Sequence, residues 1–259
     1  MDLFTLHHGT APLLVSVPHD GTFVPDAIAA RLTDSARRVP DTDWHVARLY
    51  ADAARALGAS MLVPTHSRYV VDLNRSEDDV SLYPGQNTTG LCPTVQFTGE
   101  PVYRAGEEPD EAEVRARVDT YWRPYHAALR EELDRLRAEH GRVVLWEGHT
   151  IKGHLPFLFE GRLPDLNLGT AAGASCSPAL QARLVDVLEG QGDYDFVANG
   201  RFKGGHITRH YGDPANGIDA VQLEVSQRIY MDEDTFEYDV PKAAGAQRAI
   251  ASLLEAALR

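Results

Sequence analysis

The stretch VVLWEGHT, from Val143 to Thr150, decides the fold that we predict for this chain. Its apolar run follows the charged segment 131–142 and ends abruptly in a carboxylate, a glycine and an imidazole. This pattern predicts a buried strand whose C-terminal end carries polar groups. Ligands bind at that end of the strands in an open α/β sheet. The stretch therefore predicts a sheet strand and one part of a functional site.

The same pattern occurs near the N-terminus, where the apolar run from Pro12 to Pro18 is followed at once by His19, Asp20 and Gly21. A histidine at a strand end is often only a polar cap, so each histidine alone leaves a structural and a functional interpretation open. Two strand ends that each carry a histidine beside a glycine favour one shared site.

The rest of the chain alternates between helical and extended patterns. Asp41-Thr42-Asp43 is typical of a helix N-terminus and predicts a helix that runs to about Leu57. The other predicted helices span about 111–140, with a kink or break at Pro124, 178–188 and 241–258; strands are predicted at 60–64, 68–73, 194–198 and 220–225, and loops at 76–104, 152–177 and 199–217. The long loop 76–104 is typical of a lid or binding loop. This alternation predicts a single-domain α/β fold over residues 1–259, with a mainly parallel sheet and helices on both faces.

The composition excludes several classes of protein. A formal net charge of −13 over 259 residues leaves no general attraction for nucleic acid or anionic lipid. No apolar run reaches membrane length and the N-terminus lacks a basic signal region, so we expect no membrane association and a cytoplasmic location. Cys92 and Cys176 form no CxxC motif, which indicates neither a disulfide framework nor a thiolate zinc site. The absence of GxSxG, GxGxxG and Walker motifs argues against a serine nucleophile and a nucleotide cofactor. The oligomeric state stays open.

Three candidate metal ligands, His19, Asp43 and His149, lie at separated strand or helix ends. A catalytic zinc ion takes about three nitrogen or carboxylate ligands and keeps one position open for water. These residues therefore predict a site for one divalent metal ion, with zinc favoured. Their spacing matches no local motif, so the prediction depends on the fold bringing them together.

Asp43 has an alternative role as a helix cap. Asp41 and Thr42 compete for the same role, so capping explains only one of the three residues. We favour Asp43 as the metal ligand, with Asp20 and Glu147 as the alternative carboxylate ligands.

Glu224 is a carboxylate within the apolar strand predicted at 220–225. Burial of a carboxylate without a partner is costly, so Glu224 either pairs with a cation or faces a polar site. The structural alternative is an ion pair with Arg228 or Arg209. Opposite a metal site, however, Glu224 is the natural general base.

Arginines in polar, glycine-rich loops predict a site for carboxylates. Arg75 follows a predicted strand, while Arg201 and Arg209 lie in the segment NGRFKGGHITRH. A guanidinium binds a carboxylate bidentately, and glycines let a ligand approach the backbone closely. His206 and His210 in the same segment could act as further ligands or acids, although most loop histidines do neither.

Long segments of the chain resemble the N-formylglutamate amidohydrolase family. They are SVPHDGTFVP, DTDWHVARLY, RYVVDLNR, YPGQNTTGLCP, WRPYH, EGHTIKGHLPFLFEGRLPDLNLGT, NGRFKGGHITRHYG and AVQLEVSQRIYMDE. The resemblance extends from about the first predicted strand to Glu233, and these segments are more distinctive than the spacing of the candidate ligands.

The resemblance implies hydrolysis of N-formyl-L-glutamate to formate and L-glutamate, the last step of one histidine degradation route, on a zinc-exopeptidase-like α/β fold. By position, it implies that His19, Asp43 and His149 hold the metal and that Glu224 is the base. Two features depart from the pattern we associate with the family. Glu147-Gly148-His149 stands in place of Asp-x-His-Ser, and His206 stands in place of a tyrosine, which leaves the role of His206 and the substrate preference open.

We expect a small dicarboxylate substrate whose two carboxylates are held by Arg75, Arg201 and Arg209, with hydrogen bonds from Asn74 and Thr208. One alternative is a related zinc amidohydrolase that acts on another N-acyl amino acid or on a peptidoglycan amide. A second alternative is a carboxylate-binding protein without catalytic activity.

Overall fold

A mixed β-sheet forms the centre of the molecule in this computed structural model, which describes residues 1–80 and 87–259. The strands are β1 (Phe4–His7), β2 (Leu13–Ser16), β3 (Ser60–Pro64), β4 (Val143–Ile151), β5 (Leu166–Gly169), β6 (Phe196–Ala198) and β7 (Ile218–Ser226). The helices are α1 (Asp26–Ala29), α2 (Val46–Leu57), α3 (Glu111–Arg117), α4 (Arg123–His140), α5 (Pro178–Gly190), α6 (His206–Tyr211) and α7 (Val240–Leu258).

The strand order is β1-β3-β2-β4-β7-β5-β6. Parallel pairing joins β3 to β2, β2 to β4, β4 to β7 and β5 to β6, whereas β1 and β5 run antiparallel to β3 and β7. The predicted mainly parallel sheet is therefore confirmed, with two antiparallel pairings that the sequence did not indicate.

Helices cover both faces of this sheet, as predicted. Side chains alternate along each strand, so Val15 and Trp146 face α2, α5 and α7, while Leu14 and Leu145 face α4 and α6. Burial of each such side chain stabilises the fold by roughly 1.5–3 kcal/mol. Because one sheet uses strands from residue 4 to residue 226 and α7 packs back against α2, we infer that residues 1–259 form one domain. No helix within residues 1–80 and 87–259 is both long enough and apolar enough to cross a membrane.

The start of α2 differs from the prediction. The residue before the helix is His45, whose φ of 65° is left-handed and whose side chain makes no capping hydrogen bond. The Oδ1 atom of Asp20 instead accepts a hydrogen bond from the backbone N–H of Ala47 at 2.9 Å. The prediction that segment 41–43 caps this helix is wrong, and Asp43 is left available for another role.

Four other segments also differ, and one of them is strand β1, which was not predicted. Residues 68–73 form turns instead of a strand, and Arg117 donates a hydrogen bond to the carbonyl oxygen of Val70 at 3.0 Å. Strand β5 lies within the predicted loop 152–177, and helix α6 lies within the predicted loop 199–217. Part of the predicted loop 76–104, residues 81–86, lies outside the described residues. A kink or break was predicted at Pro124; the structure has a π-helical turn, Val118–Trp122, between α3 and α4, and the backbone stays helical through it, with Pro124 in the first turn of α4.

The register of the central strands positions the functional residues. His149 on β4 lies directly opposite Glu224 on β7, and His19 follows the end of β2. Since β2, β4 and β7 run parallel, their C-terminal ends meet at one edge of the sheet.

Candidate active site

Three buried side chains converge at the edge of the sheet where the C-terminal ends of β2, β4 and β7 meet. His19, Asp43 and His149 each offer one ligand atom, and these atoms lie within 4.8 Å of one another. The Nδ1 atoms of His149 and His19 are 3.0 Å and 3.7 Å from Oδ2 of Asp43. Two atoms bound at about 2.1 Å to one tetrahedral ion are about 3.4 Å apart. The structure thus brings the three predicted ligands together, and the two separations that involve Asp43 are close to this value.

The imidazole of His19 is oriented by Asp72. Its Nε2 donates a hydrogen bond to Oδ1 of Asp72 at 2.8 Å, so the lone pair is on Nδ1. This Nδ1 is buried and has no hydrogen-bond partner among the described residues. A buried lone pair without a donor is costly unless a cation binds it. Together with the nitrogen and carboxylate donors beside it, this atom fits a divalent ion of the zinc type.

Asp43 is ionised in this arrangement. Burial raises its pKa, but the hydrogen bond from Nδ1 of His149 and the nearby imidazole of His19 together outweigh burial, so the pKa falls below its ordinary value of 3.8. Its Oδ2 also accepts the backbone N–H of Thr150 at 3.1 Å. For His149, burial lowers the pKa, whereas Asp43 and Glu147 raise it, to about 10. A cation that binds here must therefore displace a proton, because only neutral imidazole is a ligand.

Arg68 is a buried cation beside these carboxylates. Its Nη2 donates to Oδ2 of Asp72 at 2.6 Å, and its Nη1 is 3.6 Å from Oδ1 of Asp43. The guanidinium lies 4.7 Å from the ring centroid of Phe97. Arg68 was not among the predicted site residues, because it lies in a segment predicted as a strand. The available signal was an arginine in the otherwise apolar run RYVV that ends at Asp72.

Glu224 lines the same cleft as the three ligands and is 6% exposed. Burial raises its pKa to about 8. Arg228 pairs with Asp165, and Nε of Arg209 donates to the carbonyl oxygen of Gly204 at 2.8 Å, so these contacts do not support the ion-pair interpretation of Glu224. A carboxyl group whose pKa is near neutral can both accept and return a proton, as a general base must.

The cleft beside Glu224 has a cationic and an apolar part. Arg75 and Arg201, two of the three arginines predicted to bind carboxylates, both line it. Ile151, Leu158 and Phe202 supply apolar surface in the same lining. The cleft can therefore bind a short molecule that carries negative groups on an aliphatic chain.

The remaining predicted residues are Asn74, Thr208 and Arg209, and only Asn74 is in the cleft lining. Asn74 lines the cleft, but its Nδ2 is 3.0 Å from Nε2 of His149 and its Oδ1 accepts the backbone N–H of Ile207 at 2.8 Å. Thr208 and Arg209 lie on α6 and do not line the cleft. The structure thus brings together seven of the nine predicted site residues, His19, Asp43, Asn74, Arg75, His149, Arg201 and Glu224.

Comparison with known proteins identifies a matching family. The family model described as N-formylglutamate amidohydrolase matches residues 11–231. N-formylglutamate deformylase of Pseudomonas putida is 50% identical over 257 residues, which are 99% of this chain and 96% of that protein. N-formylglutamate deformylase of Pseudomonas aeruginosa is 51% identical over 258 residues, again 99% and 96% of the two chains.

Solved structures agree with these matches. The crystal structure of N-formylglutamate amidohydrolase from Ralstonia eutropha has a TM-score of 0.84 at 28% identity and covers 99% of this chain and 97% of that chain. A gene product from Agrobacterium tumefaciens has a TM-score of 0.72 at 18% identity, covering 98% and 96% of the two chains, and so shares the fold.

Proposed function

Because the chain belongs to the N-formylglutamate amidohydrolase family, we propose that it hydrolyses N-formyl-L-glutamate to formate and L-glutamate with one zinc ion held by His19, Asp43 and His149. The observation that carries this proposal is the convergence of three ligand atoms and the carboxylate of Glu224 on one cleft. We also assign the reaction to the last step of one histidine degradation route, as the family resemblance implies, and we propose a cytoplasmic location.

The chain's own groups account for the proton transfers of this reaction. A bound zinc ion supplies Lewis acidity, which polarises a carbonyl group and makes water nucleophilic near neutral pH. Glu224 accepts a proton from the water as the oxygen bonds to the formyl carbon. It returns that proton to the amide nitrogen as the C–N bond breaks, which releases formate and L-glutamate. Arg68 lines the same cleft, so we assign it a share in stabilising the negative charge that develops on the carbonyl oxygen.

Arg75 and Arg201 are the groups to which we assign the two substrate carboxylates. Both line the cleft, and a bidentate guanidinium contact fixes the orientation as well as the position of a carboxylate. A net charge of −13 repels anions at long range, so selectivity for a dianion must come from these local cations. We do not assign a carboxylate to Arg209, since it lies on α6 outside the cleft lining.

The direct test is release of formate from N-formyl-L-glutamate by the purified protein, followed by metal analysis. We expect about one zinc ion per chain, loss of turnover after chelation and its return with added zinc. The variants His19→Ala and His149→Ala should lose both the zinc and the turnover. A wild-type protein that binds glutamate but holds no metal and releases no formate would support a carboxylate-binding protein instead.

Substrate analogues separate the remaining alternatives. N-formyl-L-glutamine lacks one carboxylate, so we expect its KM to be roughly tenfold or more higher. The variants Arg75→Gln and Arg201→Gln should each raise the KM for N-formyl-L-glutamate. The variant that leaves the KM for N-formyl-L-glutamine unchanged has lost the partner of the side-chain carboxylate. Faster turnover of an N-acetyl amino acid or of a peptidoglycan amide would refute the proposed substrate.

A further inference from the structure

Glu147 is a buried carboxylate that the reaction described above does not use. It lies on β4 two residues before His149, so both side chains project from the same face of the strand. Its exposed fraction is 0%, and neither carboxylate oxygen has a hydrogen-bond partner among the described residues. An unpartnered buried carboxylate is costly in free energy, so a nearby group that gains from its charge is expected.

The imidazole of His149 is the group within reach. Its Nε2 is 3.7 Å from Oε2 of Glu147, an ion-pair contact that is slightly too long for a hydrogen bond. The same Nε2 is 3.0 Å from Nδ2 of Asn74. Because Oδ1 of Asn74 accepts the backbone N–H of Ile207, its amide presents an NH2 donor to the imidazole. Asn74 therefore suits a ring in which Nε2 has the lone pair and Nδ1 has the proton.

A metal ion requires the other arrangement. The atom of His149 that faces Asp43 is Nδ1, so this nitrogen must have the lone pair and Nε2 must have the proton. The Nε2–H then needs an acceptor, and the NH2 group of Asn74 cannot provide one. Glu147 can, because a shift of about 1 Å closes the contact to the length of a charge-assisted hydrogen bond.

On the premise of the metal site in the proposed function, we propose that Glu147 is the positioning residue for His149: its carboxylate accepts the Nε2–H and directs Nδ1 at the metal. The two histidines of the site then have equivalent support, since Asp72 already accepts the Nε2–H of His19 at 2.8 Å. A ring held at both nitrogens cannot flip, so this contact contributes to metal affinity as well as to the orientation of the ligand.

Zinc affinity of matched variants tests this role without reference to turnover. The metal-free protein is titrated with zinc against a chromophoric chelator, for the wild type, Glu147→Ala and Glu147→Gln. We expect Glu147→Ala to weaken zinc binding about 10- to 100-fold. Glu147→Gln is isosteric and keeps a neutral acceptor, so we expect a smaller loss of about threefold to tenfold. The control is Glu132→Gln, which also removes a buried carboxylate but at the N-terminal end of β3, where Glu132 contacts Ser60.

Nitrogen NMR of the zinc-loaded protein supplies a second measurement, on the ring itself. In the wild type we expect His149 to bind through Nδ1 with a slowly exchanging proton on Nε2, and in both Glu147 variants we expect that proton to exchange faster. Unchanged zinc affinity and an unchanged exchange rate of the Nε2 proton of His149 in Glu147→Gln would overturn the role of Glu147, even if Glu147→Ala fails to fold. Loss of affinity in Glu132→Gln equal to that in Glu147→Gln would also overturn it. A wild-type protein that binds no zinc would instead refute the metal site of the proposed function.

Discussion

Asp72 offers the sharpest test of how the buried charges around the site depend on one another. It is 1% exposed and accepts three hydrogen bonds, from Nε2 of His19 at 2.8 Å, from the backbone N–H of Asn74 at 2.9 Å and from Nη2 of Arg68 at 2.6 Å. Burial raises its pKa, but Arg68 and His19 hold the pKa well below the ordinary value of 3.8. The ionised carboxylate therefore both neutralises Arg68 and orients His19.

The substitution Asp72→Asn keeps the shape and removes the charge. Its NH2 group must face either the Nε2–H of His19 or the guanidinium of Arg68, and both are donors. Removal of one partner from a buried ion pair costs about 3–5 kcal/mol. After the substitution, Arg68 still has the carboxylate of Asp43 at 3.6 Å. We therefore expect a loss at the lower end of this range, about 3 kcal/mol of unfolding free energy. Loss of the contact that orients a metal-binding histidine should weaken zinc binding about 10- to 100-fold, or about 1.4–2.8 kcal/mol.

Urea unfolding of the metal-free protein measures the first effect, and chelator competition for zinc measures the second. Glu132→Gln is the control, because it removes a buried carboxylate at the opposite end of the parallel strands and should lower stability without changing zinc affinity. If Asp72→Asn binds zinc within about twofold of the wild type, Asp72 does not orient His19 and the reasoning is wrong. The same conclusion follows if Glu132→Gln loses as much zinc affinity as Asp72→Asn does.

Three further predictions follow from individual contacts. Glu224→Gln should reduce kcat about 10²- to 10⁴-fold while the zinc content stays unchanged, and retained formate release would exclude Glu224 as the base. Burial raises the pKa of Glu132, but hydrogen bonds from Arg135, Ser60 and His8 outweigh burial and lower it to about 2, below the ordinary 4.5. Ionised Glu132 should therefore contribute about 2 kcal/mol to the unfolding free energy, reduced from roughly 3 because Arg135 is partly exposed. This contribution should be fully present above pH 4.5 and lost as the pH falls through about 2. Urea unfolding of the wild type and Glu132→Gln across this range measures it, and a pH-independent difference contradicts it. Gly148→Ala would place a Cβ atom 2.7 Å from Cε2 of Tyr50, so we expect a loss of about 1–3 kcal/mol in the unfolding free energy, and a variant as stable as the wild type would show that the core accommodates the methyl group.

Much of the fold could be predicted because its central elements have strong local patterns. Strands β4 and β7 are apolar runs with alternating faces, and α4 and α7 have apolar residues at helical spacing. The elements that were missed are short and depend on neighbours. Strand β5 contains four residues, with Asn167 and Gly169 among them, and is stabilised by pairing with β7 and β6. Helix α6 has six residues, too few to be stable alone, and is preceded by Gly205, whose N–H donates to Oε1 of Gln222.

The residues of the candidate site likewise fall into those that the sequence could predict and those that it could not. The sequence alone determined which residue types could bind a metal, because imidazoles and carboxylates at strand ends are visible in one dimension. It could not separate Asp43 as a helix cap from Asp43 as a ligand, since both roles have the same local pattern. Arg68 and Asp72 were not selected as site residues because their importance lies in contacts with residues distant in the chain, such as His19 and Asp43.

Only the tertiary structure decided which polar groups meet. Parallel pairing places His149 directly opposite Glu224, and the turn after β2 adds His19 at the same edge, although these residues are far apart in the chain. The physical reason is that the strand register is set by side chains on both sheet faces and by the helices that cover them. Local sequence determines which chemistry each side chain can carry out. The packed sheet determines the distances between side chains on which the proposed chemistry depends.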